Sequence, residues 1–132
     1  MTMLALSLVE KGWAGSRRVA IRLSAAGISV RHLVRGSLPR EVVRVISPYP
    51  GVAIRGVPVR WYRVAAWSWL MLAQFRRGVA WLLVDNEKTA RWAARWFPRL
   101  RAKLVLIQET GTGDPLAFRN GAPVSLEALA AP

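Results

Sequence analysis

The sequence predicts an α/β domain built on a central, mostly parallel sheet, and three observations carry that prediction. Apolar runs rich in Val, Ile and Leu recur along the chain. Segments with helical spacing of apolar residues separate them, as βα units feeding a parallel sheet buried on both faces require. At 132 residues the chain has room for one such domain and one core, not two.

Five runs read as strands: 3–9, 28–34, 52–56, 79–84 and 104–108. Between the first two, 16–26 reads as a helix. Ser16 can cap it, Val19, Leu23 and Ala26 share a face, and Gly27 stands where helices end. A second helix is predicted over 38–46, with Ser37 as cap and Pro39 near the first helical position, although the β-branched Val42, Val45 and Ile46 weaken it. The third helix, 60–77, is apolar nearly all round from Val64 to Phe75 and carries Arg60, Arg63, Arg76 and Arg77 at its ends. Its apolar stretch is too short for a bilayer crossing, which takes about twenty residues. It reads as a helix packed on the sheet, or as one lying in a membrane interface with Trp61, Trp67 and Trp69 at headgroup level.

A fourth helix over 87–101 places Lys88, Arg91, Arg95 and Arg99 at three- and four-residue spacing, one basic stripe with Trp92 and Trp96 beside it. Pro98 kinks or ends it early. A solvated face with its aromatics turned inward is the preferred reading of that stripe, a phosphate-holding track the sharper one. Glu109 to Asp114 is a loop by composition, and 116–126 reads as a hairpin about Asn120-Gly121. Ser125 then caps a short final turn, so the five-stranded sheet carries a C-terminal hairpin or short extension. No repeat, low-complexity tract or linker divides the chain, and 1–132 reads as a single domain.

There is no cysteine, and His32 is the lone histidine. A disulfide framework, a thiolate nucleophile and a zinc site therefore have no residues to build them, and neither a metal nor a cofactor is expected. The apolar start of the chain lacks a basic leader and a small-residue cleavage site, which points to a cytoplasmic setting. The formal net charge is +13, with 20 Lys and Arg against 7 acids. Such an excess favours polyanionic partners, with GC-rich coding bias as the competing explanation for so many arginines.

In parallel sheets ligands collect at the carboxyl ends of the strands. Here those ends present Glu10-Lys11-Gly12, Arg35-Gly36-Ser37, Asp85-Asn86 and Gln108-Glu109-Thr110. The richest is the first βα turn, where Gly12 and Gly15 allow close backbone approach, Ser16 opens a helix with free N–H groups, and Arg17 and Arg18 add charge. It is neither a dinucleotide fingerprint nor a Walker A loop, and a plain tight turn is the competing reading. Asp85, Asn86 and Glu109 suit general-base or substrate-orienting work, yet capping of the helix from Glu87 is the preferred role for Asp85 or Asn86. His32, in an apolar strand, reads as a core or edge histidine. The candidate ligand set is thus Gly12, Gly15, Ser16, Arg17, Arg18, Asp85, Asn86, Glu109 and Thr110. The candidate polyanion or membrane surface is Arg60, Arg63, Trp67, Arg91, Arg95 and Arg99.

Residues 12–30, GWAGSRRVAIRLSAAGISV, resemble the opening of the N-terminal, acceptor-side domain of GT-B glycosyltransferases, with its glycine-containing turn, early helical Arg and passage through glycine into strand two. Residues 84–109, VDNEKTARWAARWFPRLRAKLVLIQE, are similar to the fourth and fifth βα units of that domain. Over about residues 3–110 the resemblance implies a three-layer Rossmann-like fold. The family's donor-binding second domain, and a histidine often found near the first or fifth strand end, have no counterpart in these residues. The resemblance therefore implies an acceptor-binding half, not a complete enzyme by itself. It would work with a separate donor-binding subunit as in split glycosyltransferases, or be an inactive remnant, with membrane contact through 60–77. Two other classes stay open. One is a nucleic-acid binder that sets Arg17, Arg18, Arg22, Arg91, Arg95 and Arg99 on phosphates and stacks tryptophans on bases. The other is an interaction subunit that buries excess apolar surface on a partner or a second copy of itself.

Overall fold

The computed structural model of the protein describes residues 3–11, 14–36, 51–110 and 113–131. The helix predicted over 38–46 and its cap Ser37 lie outside them. The elements run β1 Leu4–Val9, α1 Ala14–Ala25, β2 Ser29–Arg35, β3 Val52–Val57, α2 Val59–Ala73, β4 Val79–Val84, α3 Glu87–Trp96, a 3-10 turn Arg101–Lys103, β5 Leu104–Gln108, β6 Leu116–Arg119, β7 Ala122–Val124 and α4 Leu126–Ala130.

All seven strands join one sheet in the order β3-β2-β1-β4-β5-β6-β7. The five predicted strands are present and parallel to one another. The sheet is nevertheless seven-stranded and partly antiparallel, because the C-terminal hairpin is not a separate extension. Its first strand pairs antiparallel with β5, Leu106 opposite Phe118 and Gln108 opposite Leu116. The two-residue turn explains the hairpin itself, since Asn120 and Gly121 both take positive φ, 52° and 78°, the geometry that matches strand twist. Hydrogen bonding to β5 covers what would otherwise be an exposed parallel edge.

Alternation along the strands sends side chains to two cores. On one face Leu4, Leu6 and Leu8 of β1 and Leu82 and Val84 of β4 meet Tyr62, Ala66 and Leu70 of α2 and Ala93 of α3. On the other, Ala5, Val30, Leu83 and Val105 meet Val19, Ala20 and Leu23 of α1 and Leu126 and Leu129 of α4. The result is a three-layer α/β arrangement. The central strands β1 and β4 are buried throughout, whereas the edge strand β3 is nowhere fully buried. Two polar pins fix helices to strands: the Tyr62 hydroxyl donates to the Leu33 carbonyl at 3.1 Å, and Trp81 Nε1 donates to the Leu129 carbonyl at 2.7 Å.

Three helices depart from their predicted ends. α2 ends at Ala73, four residues short of the predicted 77, so Arg76 and Arg77 follow the helix and do not belong to it. α1 begins two residues before Ser16, which becomes a buried residue inside the helix and not its cap; its C-terminal glycine, Gly27, has the positive φ of 86° that ends helices. α3 stops at Trp96, because Pro98 disfavours helical geometry at Phe97, which sits at φ −129° and ψ 72°. Arg99 is therefore off the helix, and the predicted four-cation stripe is interrupted after Arg95.

Candidate functional site

The strand order changes direction between β1 and β4, the position at which open α/β sheets gather ligands. The residues at the carboxyl ends of these strands do converge. Asp85 Oδ2 accepts from the backbone N–H of Glu10 at 2.9 Å and of Lys11 at 2.7 Å. Asn86 caps α3, its side-chain oxygen accepting from the Thr89 N–H at 2.8 Å, and its amide donates to Glu10 Oε2 at 3.0 Å and Asp85 Oδ1 at 2.9 Å. The Thr89 hydroxyl completes the cluster with a 2.8 Å bond to Glu10 Oε2.

Glu109 arrives from the end of β5 and accepts from the Gly15 N–H in the first turn of α1 at 2.9 Å. An internal carboxylate thus takes one of the free helix N–H groups that a bound anion would otherwise use. The close approach that Gly15 permits is made by Glu109 itself. A Cβ at Gly15 would lie 2.9 Å from Glu109 Cγ and 3.3 Å from Pro115 Cβ. Gly15→Ala is therefore expected to destabilise the fold by about 1–3 kcal/mol through overpacking, against the roughly 1 kcal/mol gain that helix propensity alone gives Ala over Gly. Urea unfolding of Gly15→Ala and of Gly15→Ala with Glu109→Ala checks this, the second substitution recovering part of the loss.

The remaining cavity here, about 200 Å³ and lined by Lys11, Ser16, Asp85, Ile107 and Glu109, is small against the roughly 300–1,000 Å³ of ordinary ligand pockets. Larger spaces open elsewhere, about 870 Å³ at the β3 edge and about 490 Å³ between α3 and β5–β6. Of the nine residues in the candidate ligand set, Gly12 lies outside the described residues. Gly15, Ser16, Asp85, Asn86 and Glu109 come together. Thr110 donates instead to the Asp114 carbonyl at 3.3 Å. Arg17 is half-buried, and Arg18 donates to the Gly113 carbonyl. Glu10, present among the strand ends but not in the candidate ligand set, holds the Asn86 and Thr89 side chains; nothing local to β1 marks these partners 76 and 79 residues away.

The second candidate set lies on the opposite layer from α1. Tyr62, Ala66, Leu70 and Ala73 bury one side of α2. The other side faces outward and is mostly apolar, with Ser68 its polar member: Trp61 is 54% exposed, Val64 59%, Leu72 75% and, just past the helix, Phe75 65%. Arginines stack on the aromatic rings of this surface and its neighbour α3. Arg60 lies 5.6 Å from the Trp61 ring, Arg95 5.8 Å from Trp96 and Arg99 4.8 Å from Phe75. Arg63 covers Trp92 at 5.3 Å, which in turn meets Phe97 edge-on at 5.6 Å. Trp67 is 43% exposed and packs against Phe97 from α2. Trp92 is thus turned inward as predicted, whereas Trp96 is 56% exposed. Arg99 rejoins the surface through Phe75 although the helix has ended.

No acid falls between Glu41 and Asp85 in the sequence, so α2 and its flanks carry cations alone. The arginines of α1 differ in kind, because Arg22 is ion-paired with Asp114 and, at 2.9 Å, with Glu127. They also sit on the other side of the sheet from Arg91 and Arg95, so the six arginines do not line one phosphate track. No helix among the described residues is long and apolar enough to cross a membrane. No protein-family model matches the chain, and no curated protein matches it.

Proposed function

We propose that this chain is a non-catalytic binding domain that seats on an anionic lipid surface through the outer face of α2 and the adjoining end of α3. In this reading it serves as an acceptor-side half of the kind its sequence resembles and is completed by a donor-binding partner subunit. The observation that carries the proposal is the outward apolar side of α2, with arginines against its aromatic rings and no carboxylate along the helix. Exposed apolar side chains gain by entering the acyl boundary, and arginines beside them meet lipid phosphates. A solvated helix face on a soluble domain ordinarily carries polar and charged side chains of both signs.

The engagement of Asp85 with the Glu10 and Lys11 backbone, of Asn86 as the cap of α3 and of Glu109 with the Gly15 N–H supports a binding role over catalysis. Nucleic-acid binding is the second reading, and the separation of the two arginine groups weighs against it.

Co-sedimentation with vesicles tests the proposal. Binding to phosphatidylglycerol-containing vesicles is expected to persist at physiological salt, because apolar insertion is not screened, while a purely electrostatic contact fades. Leu72→Asp with Phe75→Asp is expected to weaken partitioning at least tenfold with the fold intact, since both side chains are exposed and each insertion is worth on the order of 1–3 kcal/mol. Salt-sensitive binding to single-stranded DNA with no vesicle binding would replace this reading with the nucleic-acid one.

A further inference from the structure

The roomier of the two larger spaces noted above belongs to neither candidate set. It is a groove of about 870 Å³ where β2 and β3 emerge from beneath α2. α2 turns three flanks in three directions: the buried one to the sheet, the outer one to solvent, and a third, bearing Ala65 and Trp69, toward β3. Because α2 and α3 cover the middle of the sheet, no element among the described residues covers the same face of β2 and β3 at the edge.

The register explains what lines that opening. Arg31 pairs with Ala53 and Leu33 with Arg55, so Arg31 and Arg55 stand on one face as diagonal neighbours, on the order of 8 Å apart at Cα. Both are exposed, and among the described residues neither has an ion-pair partner. Among the described residues no acid lines the groove. The small side chains of Ala53 and Ala65 leave the space open, and Leu33 and Trp69 give it apolar walls.

We infer that this groove is a binding site for a small amphiphilic phosphate, an aryl or alkyl phosphate monoester whose head is held between Arg31 and Arg55 and whose apolar body lies against Trp69. Two guanidinium forks on one face, both lining the groove, match the several acceptor oxygens of a phosphate dianion. The indole and the alanine-lined floor match a flat or chain-like body and offer nothing to a second charge. A volume of this size holds a ligand of drug-like dimensions. The site stands on residues separate from the outer face of α2 and does not depend on the lipid reading.

Isothermal titration of the full chain with 1-naphthyl phosphate at physiological salt tests it. A saturable one-to-one isotherm is expected, with inorganic phosphate and 1-naphthol each at least tenfold weaker, because each supplies half of the recognition. Arg31→Gln with Arg55→Gln is expected to lower affinity at least tenfold. Arg76→Gln with Arg77→Gln, which removes two exposed charges elsewhere, and Leu72→Asp with Phe75→Asp should leave it within twofold. Circular dichroism confirms that each variant is folded. The inference is overturned by an isotherm no tighter than that of inorganic phosphate, by equal losses in the two arginine pairs, or by an affinity unchanged in Arg31→Gln with Arg55→Gln.

Discussion

Replacing Phe97 with Ala is expected to lower the unfolding free energy by about 3–5 kcal/mol, the range for deleting a fully buried phenyl ring and leaving its cavity. Phe97 is completely buried at the end of α3, where its N–H closes the helix on the Ala93 carbonyl at 2.9 Å and its own carbonyl accepts from Leu100 at 2.9 Å. Its ring is the shared partner of Trp92, at 5.6 Å and edge-on, and of Trp67, at 6.4 Å and tilted. These contacts tie α3 to α2, so the loss reaches both helices on that face of the sheet. Domains of this kind have about 5–15 kcal/mol in total, and the variant should lose much of its urea resistance. Phe75→Ala makes the contrast, since that ring is 65% exposed and its loss should cost within about 0.5 kcal/mol. Equal costs for the two rings would mean that the outer side of α2 is not outward at all.

Acidification is expected to remove about 3 kcal/mol of stability through one residue, His32. It lies in β2 at 2% exposure, and burial pulls its pKa from the ordinary 6.5 down to about 4. The unfolded chain therefore takes up a proton near pH 6.5 that the folded chain refuses until about pH 4. Stability is at its full value above pH 6.5, falls as the pH drops through that window, and levels off below it. Carboxylates titrate near the lower end as well, so the quantity to follow is the difference between wild type and His32→Leu in urea unfolding from pH 7.5 to 4.5. The variant, whatever its absolute stability, should lose the part of the slope that lies between pH 6.5 and 5. A slope unchanged by the substitution would place the titration elsewhere.

Much of this architecture is legible in the sequence for local reasons. The runs at 79–84 and 104–108 are strands because their Val, Ile and Leu content suits burial between two helical layers. Asn120-Gly121, Gly27 and Pro98 mark their turn and helix ends through backbone geometry that few other residues adopt so readily. Asn86 in its capping role is equally local, three residues from the N–H it accepts.

What the sequence does not reveal is non-local. Nothing in residues 116–124 says that their hairpin docks on β5, because the edge it pairs with is set by the order of the other strands in the sheet. The bond from Gly15 to Glu109 spans 94 residues, and it turns a candidate ligand turn into a self-filled helix terminus. An apolar helix surface likewise has no intrinsic inside, and the direction of α2 follows from the seating of Tyr62, Ala66 and Leu70 on the sheet. That seating leaves Trp61, Val64, Leu72 and Phe75 outward, the feature on which the functional reading rests.

The most direct test of that reading is quenching of tryptophan emission by anionic vesicles whose acyl chains carry bromine, at physiological salt, compared between wild type and Trp61→Phe. The account predicts a blue shift and strong quenching in the wild type and a markedly smaller response in Trp61→Phe, because Trp61 is the outermost indole of α2 and Phe keeps the face apolar. Emission indifferent to the brominated chains would contradict insertion of α2 into the lipid surface.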